Sequence, residues 1–148
     1  MASIANGVFL LSLSCELQID AKAFIGLKNL TSLFLIESLD LKENKISEIK
    51  EQAFANLSKL SYLNLEWNCQ RCDHAAQPCF PCVNNTPIKL YPGSFRNQVQ
   101  MTSLSIRGNS LRDLPDKLFS NMPNLSSLDL SDNLLAYAIR NVAISSMN

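Results

Sequence analysis

An α/β solenoid is the fold class that this sequence predicts: a curved coil with short parallel strands on its concave face and one stapled insertion loop. Three observations predict it. The pattern L-x-x-L-x-L-x-x-N-x-L, which marks leucine-rich repeats of about 20–29 residues, recurs along the chain. One phenylalanine per copy keeps register, because Ile19–Phe24, Ile49–Phe54, Leu90–Phe95 and Leu114–Phe119 are each five apart. Four of the five cysteines crowd into one stretch, Cys69, Cys72, Cys79 and Cys82, and only there does the repeat break open.

The copies follow in order. Val8, Leu11 and Leu13 open the first, and Leu30, Leu33 and Leu35 a second. Ile36, Leu39, Leu41, Asn44 and Ile46 make a third, and Leu60, Leu63, Leu65 and Asn68 a fourth. Met101, Leu104, Ile106, Asn109 and Leu111 make a fifth; Leu125, Leu128, Leu130, Asn133 and Leu135 make a sixth. The L-x-L pair reads as a short strand whose alternate side chains point inward. The Asn can bond backbone groups of the following turn, so stacked copies predict a ladder of asparagines. The leucines, isoleucines and phenylalanines read as one continuous core.

Two spacings depart from the pattern. Leu33 to Leu39 is six residues, where Leu39 to Leu63 and Leu104 to Leu128 are 24, so the second copy reads as lacking 18 residues. Either Leu30–Leu35 or Ile36–Leu41 is then not a normal strand. Leu63 to Leu104 is 41 residues, which is 24 plus 17, and the surplus enters directly after Asn68. A single domain over 1–148 follows, with irregular repeats over 8–59, the insertion over about 69–87, regular repeats over 88–140 and an off-pattern tail over 141–148. Long insertions in compact repeats are usually functional. Cys15 sits where the first strand should turn and reads as a buried thiol or a relic, not a site.

Composition narrows the classes. Hydrophobic residues make up 47% of 148, too many for a disordered chain, and the formal net charge is zero. Charge is distributed unevenly. From Cys69 to Asp113 five bases face two acids, or +3; from Ser14 to Glu66 six lysines face eight carboxylates, or −2. No run approaches the ~18 apolar residues that span a bilayer. Gly7 to Leu13 has the apolar centre of a secretion signal without its flanks, so it is assigned to the repeat. With one histidine and no glycine-rich phosphate loop, no catalytic constellation is present and no cofactor is called for.

The spacing C-x2-C-x6-C-x2-C admits three chemistries. Zinc could take four thiolates, with His74 as a substitute ligand, but zinc ribbons separate their knuckles by about 15–20 residues. A redox C-x-x-C opens a helix in a βαβ context, which neither pair does. Two disulfides would staple a loop made polar and proline-rich by Pro78, Pro81 and Pro87. Four N-x-S/T sequons, at Asn29, Asn56, Asn84 and Asn124, favour a lumenal or extracellular chain, where disulfides persist.

Leucine-rich repeats interrupted by N-C-x-R-C-x-x-A-x-x-P-C-x-x-C resemble the ectodomains of the nucleic-acid-sensing, endosomal Toll-like receptors. The likeness is specific over about residues 60–140, including Arg71-Cys72-Asp73-His74-Ala75 and Leu128-Asp-Leu-Ser-Asp-Asn133, and generic over 8–59. It implies nested disulfides, Cys69–Cys82 and Cys72–Cys79. It also implies a loop on a glycan-poor lateral face, single-stranded CpG-type DNA as ligand, homodimerisation of the full-length parent, and an endosomal or endoplasmic reticulum setting. No polar capping repeat precedes Val8 or follows Leu135, so the sequence reads as a fragment of a longer receptor.

The candidate nucleic-acid contacts are Arg71, His74, Phe80, Lys89, Tyr91, Arg96, Arg107 and Arg112. Arg and Lys neutralise phosphates, and aromatic rings stack on unpaired bases. Arg107 and Arg112 occupy variable repeat positions that a solvated face explains equally well. His74 is the only histidine, and its ordinary pKa of about 6.5 lies between neutral and endosomal pH. The alternative function is a protein-binding leucine-rich module, such as an adhesion or matrix protein or a truncated decoy of a receptor.

Overall fold

The computed structural model describes the backbone of residues 2–5, 8–11 and 17–19, and residues 36–44, 46–68 and 87–135 in full. Nine strands occur there: β1 Ala2–Ala5, β2 Val8–Leu11, β3 Leu17–Ile19, β4 Ser38–Asp40, β5 Ile46–Ile49, β6 Tyr62–Asn64, β7 Lys89–Leu90, β8 Ser103–Ser105 and β9 Ser127–Asp129. Six form one sheet in the order β1-β2-β4-β6-β8-β9, and three form a second in the order β3-β5-β7. The return segments of the described coils are strings of turns, with no helix among the described residues.

The large sheet is built from the L-x-L pairs. Leu39, Leu63, Leu104 and Leu128 stand opposite one another in successive parallel strands. Alternation puts the first three of these leucines in the core and leaves Tyr62 on the outer face, 38% exposed. The ladder continues past the strands: the Leu41 amide donates to Asn64 O at 2.8 Å and Leu65 to Ser105 O at 2.9 Å. On the opposite wall the phenylalanines form a spine. Phe54 and Phe95 stack with centroids 6.1 Å apart, and Phe95 and Phe119 at 6.4 Å. That spacing lies within the favourable range for aromatic pairs, and it follows from the five-residue offset read in the sequence.

The start of the coil corrects the repeat count. Strand β2 pairs directly with β4, with Phe9 opposite Leu39, so no rung stands between them. Phe9, not Leu11, holds the register position of Leu39. The coil from Phe9 to Leu39 is therefore 30 residues long, which is 24 plus six. Ile36–Leu41 carries the normal strand; the motif at Leu30–Leu35 lies outside the described residues. The inferred loss of 18 residues is withdrawn. The sequence held the signal: Phe9 to Ile19 is ten residues, as Leu39 to Ile49 is.

Strand β1 pairs antiparallel with β2, Ala5 opposite Val8. The two residues between them are Asn6 and Gly7, the pair most strongly associated with tight hairpins.

The predicted asparagine ladder is present. Asn68 accepts from the Asn44 amide at 2.9 Å and the Ile46 amide at 3.1 Å, and donates to Leu41 O at 2.8 Å and Leu65 O at 2.9 Å. Asn109 and Asn133 repeat the arrangement one coil further on each time. Just before each of these asparagines the chain turns through positive φ, at Glu43, Trp67, Gly108 and Asp132. Only at 108 is that residue glycine. A Cβ there would stand 2.3 Å from Cε3 of Trp67, so the indole of one coil requires the bare backbone of the next.

Candidate functional site

The insertion departs after Asn68, whose ladder bonds are complete before the chain leaves the coil. It returns at Pro87 and Ile88, and β7 then pairs in register with β5, Glu48 opposite Lys89 and Ile49 opposite Leu90. The coil is thus closed on both sides of the insertion. Two groups of side chains flank its roots.

On the departing side, Trp67 lies over Gly108, and the Arg107 guanidinium sits 5.7 Å from the Trp67 ring centre. Arg107 also binds Asp132, at 2.7 Å through Nε and 2.6 Å through Nη2. The Asp132 carboxylate beside it raises the Arg107 pKa above its ordinary value. Both contacts meet the same carboxylate oxygen, Oδ2, and they hold the guanidinium beside the indole.

On the returning side, the Tyr91 amide donates to Ser94 Oγ at 2.8 Å, and that hydroxyl donates to Ile49 O of the preceding coil at 2.6 Å. Tyr91 is thereby held against β5. Its hydroxyl donates to the Glu48 carboxylate. Lys89 Nζ lies 3.6 Å from the same carboxylate oxygen and 4.9 Å above the Tyr91 ring. The Tyr91 hydrogen bond, with help from the charges of Lys89 and Lys50, lowers the Glu48 pKa. The Tyr91 contact and then the Glu48 charge raise that of Lys89. Glu48 was not among the sequence candidates. Its signal is the register of the second sheet, which the repeat pattern did not reveal.

Beyond β7 a cleft of 390 Å³ opens between two coils, lined by Pro87, Ile88, Lys89, Leu90, Leu111, Arg112, Asp113 and Pro115. Arg112 is an exposed wall of it. Arg96 is exposed on the return segment, away from this cleft. Of the sequons, Asn56 and Asn124 are both exposed, and the Asn124 side chain donates to Val99 O at 2.8 Å. Arg71, His74, Phe80, Cys15, Asn29, Asn84 and the four loop cysteines lie outside the described residues. No cluster of three metal-binding side chains occurs among the described residues. No helix there is long and apolar enough to cross a membrane.

The outer face of the large sheet has the opposite character. Over 36–44, 61–68, 102–109 and 126–133 it carries Glu37, Asp40, Glu43, Glu66, Asp129 and Asp132 against Lys42 and Arg107, or 2 − 6 = −4. Both bases are already paired, Arg107 with Asp132 and Lys42 with Glu66 at 3.5 Å. A Ser131 hydrogen bond lowers the Asp129 pKa.

The leucine-rich repeat family model matches residues 17–69 and 84–148; the first match ends on Cys69 and the second resumes just after Cys82. The chain belongs to the leucine-rich repeat family. Within that family it is Toll-like-receptor-like. It is 36% identical to Toll-like receptor 7 of Mus musculus over 136 residues, 82% of this chain and 13% of the receptor. It is likewise 36% identical to Toll-like receptor 9 of Canis lupus familiaris over 134 residues, 80% of this chain and 13% of that receptor. To Toll-like receptor 8 of Homo sapiens it is 36% identical over 112 residues, 76% of this chain and 11% of that receptor. This leucine-rich repeat chain therefore spans about one-eighth of the length of the relatives it matches.

Proposed function

We propose that this leucine-rich repeat chain is part of an innate immune receptor ectodomain that binds microbial nucleic acid, single-stranded CpG-type DNA in particular, in the endosomal lumen. The observation that carries the reading is the pairing of a Toll-like-receptor-like scaffold with an insertion whose roots are flanked by aromatic and cationic groups. Trp67 and Tyr91 offer faces for unpaired bases, and Lys89 and Arg112 offer charge for phosphates, whereas Arg107 is taken up by Asp132. Arg71, His74 and Phe80 extend the same chemistry into the loop, stapled by Cys69–Cys82 and Cys72–Cys79. Charging of His74 as the endosome acidifies strengthens the hold on a polyanion. Arg96 is a peripheral phosphate contact. Of the glycan sites Asn29, Asn56, Asn84 and Asn124, Asn84 alone falls within the insertion, and the full-length parent pairs as a homodimer.

The test is fluorescence anisotropy with CpG and GpC single-stranded oligodeoxynucleotides across salt and pH, on this chain and on one lacking residues 70–86. The reading expects saturable binding that weakens steeply with salt, tightens toward pH 5, and disappears with the loop. Binding that ignores salt would refute it. The acidic outer face of the large sheet favours a second reading, in which a basic protein surface docks there as on other leucine-rich modules. Binding of a protein partner unaffected by loss of 70–86 would favour that one.

A further inference from the structure

Glu48 holds two of the proposed contact residues at once. It reaches across from β5 in the preceding coil, and a single carboxylate oxygen receives both the Tyr91 hydroxyl and the Lys89 ammonium. The ammonium also lies over the Tyr91 ring, so the hydroxyl and the cation that converge on one anion are held together by the ring between them. A phosphodiester, like that carboxylate, carries one negative charge shared over two oxygens and accepts hydrogen bonds. The Tyr91–Lys89 pair is thus an anion clamp already filled from within the protein. Lys89 remains 64% exposed, so an external anion can reach it. Nothing comparable occurs at Arg112, which stands on the far side of β7 beside the cleft.

We infer that Glu48 is the specificity-determining residue of this edge: it occupies the Tyr91–Lys89 clamp, and a ligand phosphodiester engages the clamp only by displacing it. The inference rests on the nucleic-acid reading for its ligand, but not for the occupancy itself. Glu48 filters out weak or singly charged anions, because only a polyanion held by neighbouring contacts competes with a tethered carboxylate. Glu48 positions its partners; it does not touch the ligand.

The test uses the whole chain as wild type, Glu48→Gln, Lys89→Ala and the double variant, with two readouts. The first is the acylation rate of Lys89 by an amine-reactive ester, measured by peptide mass spectrometry against exposed Lys59. Glu48→Gln should speed it severalfold, since losing the carboxylate frees the ammonium and lets it deprotonate more readily. The second is affinity for a single-stranded oligodeoxynucleotide. Glu48→Gln should tighten it by up to about fivefold, the scale of one exposed ion pair removed from competition. It should also steepen the salt dependence by about one phosphate, or ~0.7 in log K per log salt. The gain should vanish in the double variant. An unchanged Lys89 rate overturns the inference whatever the oligonucleotide does, and weaker binding by Glu48→Gln overturns it as well. Faster acylation with no oligonucleotide binding by any variant overturns the nucleic-acid reading, and with it the phosphodiester part of this inference.

Discussion

Asn68 is the joint between scaffold and insertion, and its removal has a magnitude that can be worked out. Asn68→Ala deletes two accepted hydrogen bonds, two short donated ones and a longer one to Glu66 O, at a residue only 1% exposed. Leu65 O keeps a partner, because the Asn109 side chain also donates to it at 2.9 Å. The Asn44 amide, the Ile46 amide and Leu41 O each lose this partner. Each such loss in a buried setting costs about 1–3 kcal/mol, so three give about 3–9 kcal/mol, and the lower half of that range, about 4 kcal/mol, is the expectation. That is a large share of the ~5–15 kcal/mol of a whole domain. Urea unfolding followed by fluorescence of Trp67, the single tryptophan, measures it. Hydrogen exchange at the Asn44 and Ile46 amides supplies a local readout, and both should lose protection before Leu104 does. A loss below about 1 kcal/mol with protection retained would show that the ladder is decoration and that packing alone sets the coil.

Phe95→Ala removes the middle ring of the spine and should cost about 3–5 kcal/mol by the same urea assay, more than Phe119→Ala at the less enclosed end. Gly108→Ala combines a positive φ with a Cβ 2.3 Å from the Trp67 ring, so it should destabilise by at least about 2 kcal/mol and shift Trp67 emission to the red. Arg107→Ala breaks an exposed pair and should change stability by less than about 1 kcal/mol. Because Asp132 already neutralises this guanidinium on an acidic face, oligonucleotide affinity and its salt slope should change little. Glu48 and Asp129 have lowered pKa values in the folded chain, so what they contribute is present above the ordinary carboxylate pKa and lost only as pH falls through the lowered values. The urea midpoint should therefore lose nothing through these two groups between pH 7 and pH 5, and should fall below the ordinary carboxylate range.

The repeat was legible because its physics is periodic. Leucines at fixed spacing must face one core, and an asparagine at a fixed place must serve the turn beside it. The 17-residue surplus after Asn68 was equally plain, since it is a difference between two periods. Where the period was weak, the reading slipped. Two strand motifs lie six residues apart at Leu30–Leu41, and local pattern cannot say which one joins the sheet; pairing of β2 with β4 decides it. The second sheet was missed because β3, β5 and β7 are two to four residues long and carry no alternation of their own. With it went Glu48, a residue whose role comes only from lying opposite Lys89. Charge counts by chain segment likewise mixed faces. The basic balance of 69–113 includes Arg107, which sits on the acidic sheet face and is neutralised there.

The fold explains why an insertion is tolerated at this point. Loop closure grows only with the logarithm of length, about 0.6 kcal/mol per doubling. The regular coil turns from Asn44 to Ile49 in five residues, whereas Asn68 to Leu90 takes 22, about two doublings, or ~1.3 kcal/mol. That is well below the worth of the Asn68 hydrogen bonds, which are made within the coil itself. The scaffold therefore holds its shape whatever sequence the loop carries, and the loop is free to vary for binding. On the proposed function, a polyanion would meet two unlike surfaces of this scaffold. The sheet face, at −4 with its two bases paired, repels phosphates over four coils, while the edge at the roots of the loop presents Lys89, Tyr91 and Arg112. With Glu48 against Lys89 and Asp113 beside Arg112, that edge is near neutral instead of acidic, and screening confines the contrast with the sheet face to about a Debye length, 8–10 Å at physiological salt. Discrimination between the two faces should then fade as salt rises, in step with affinity.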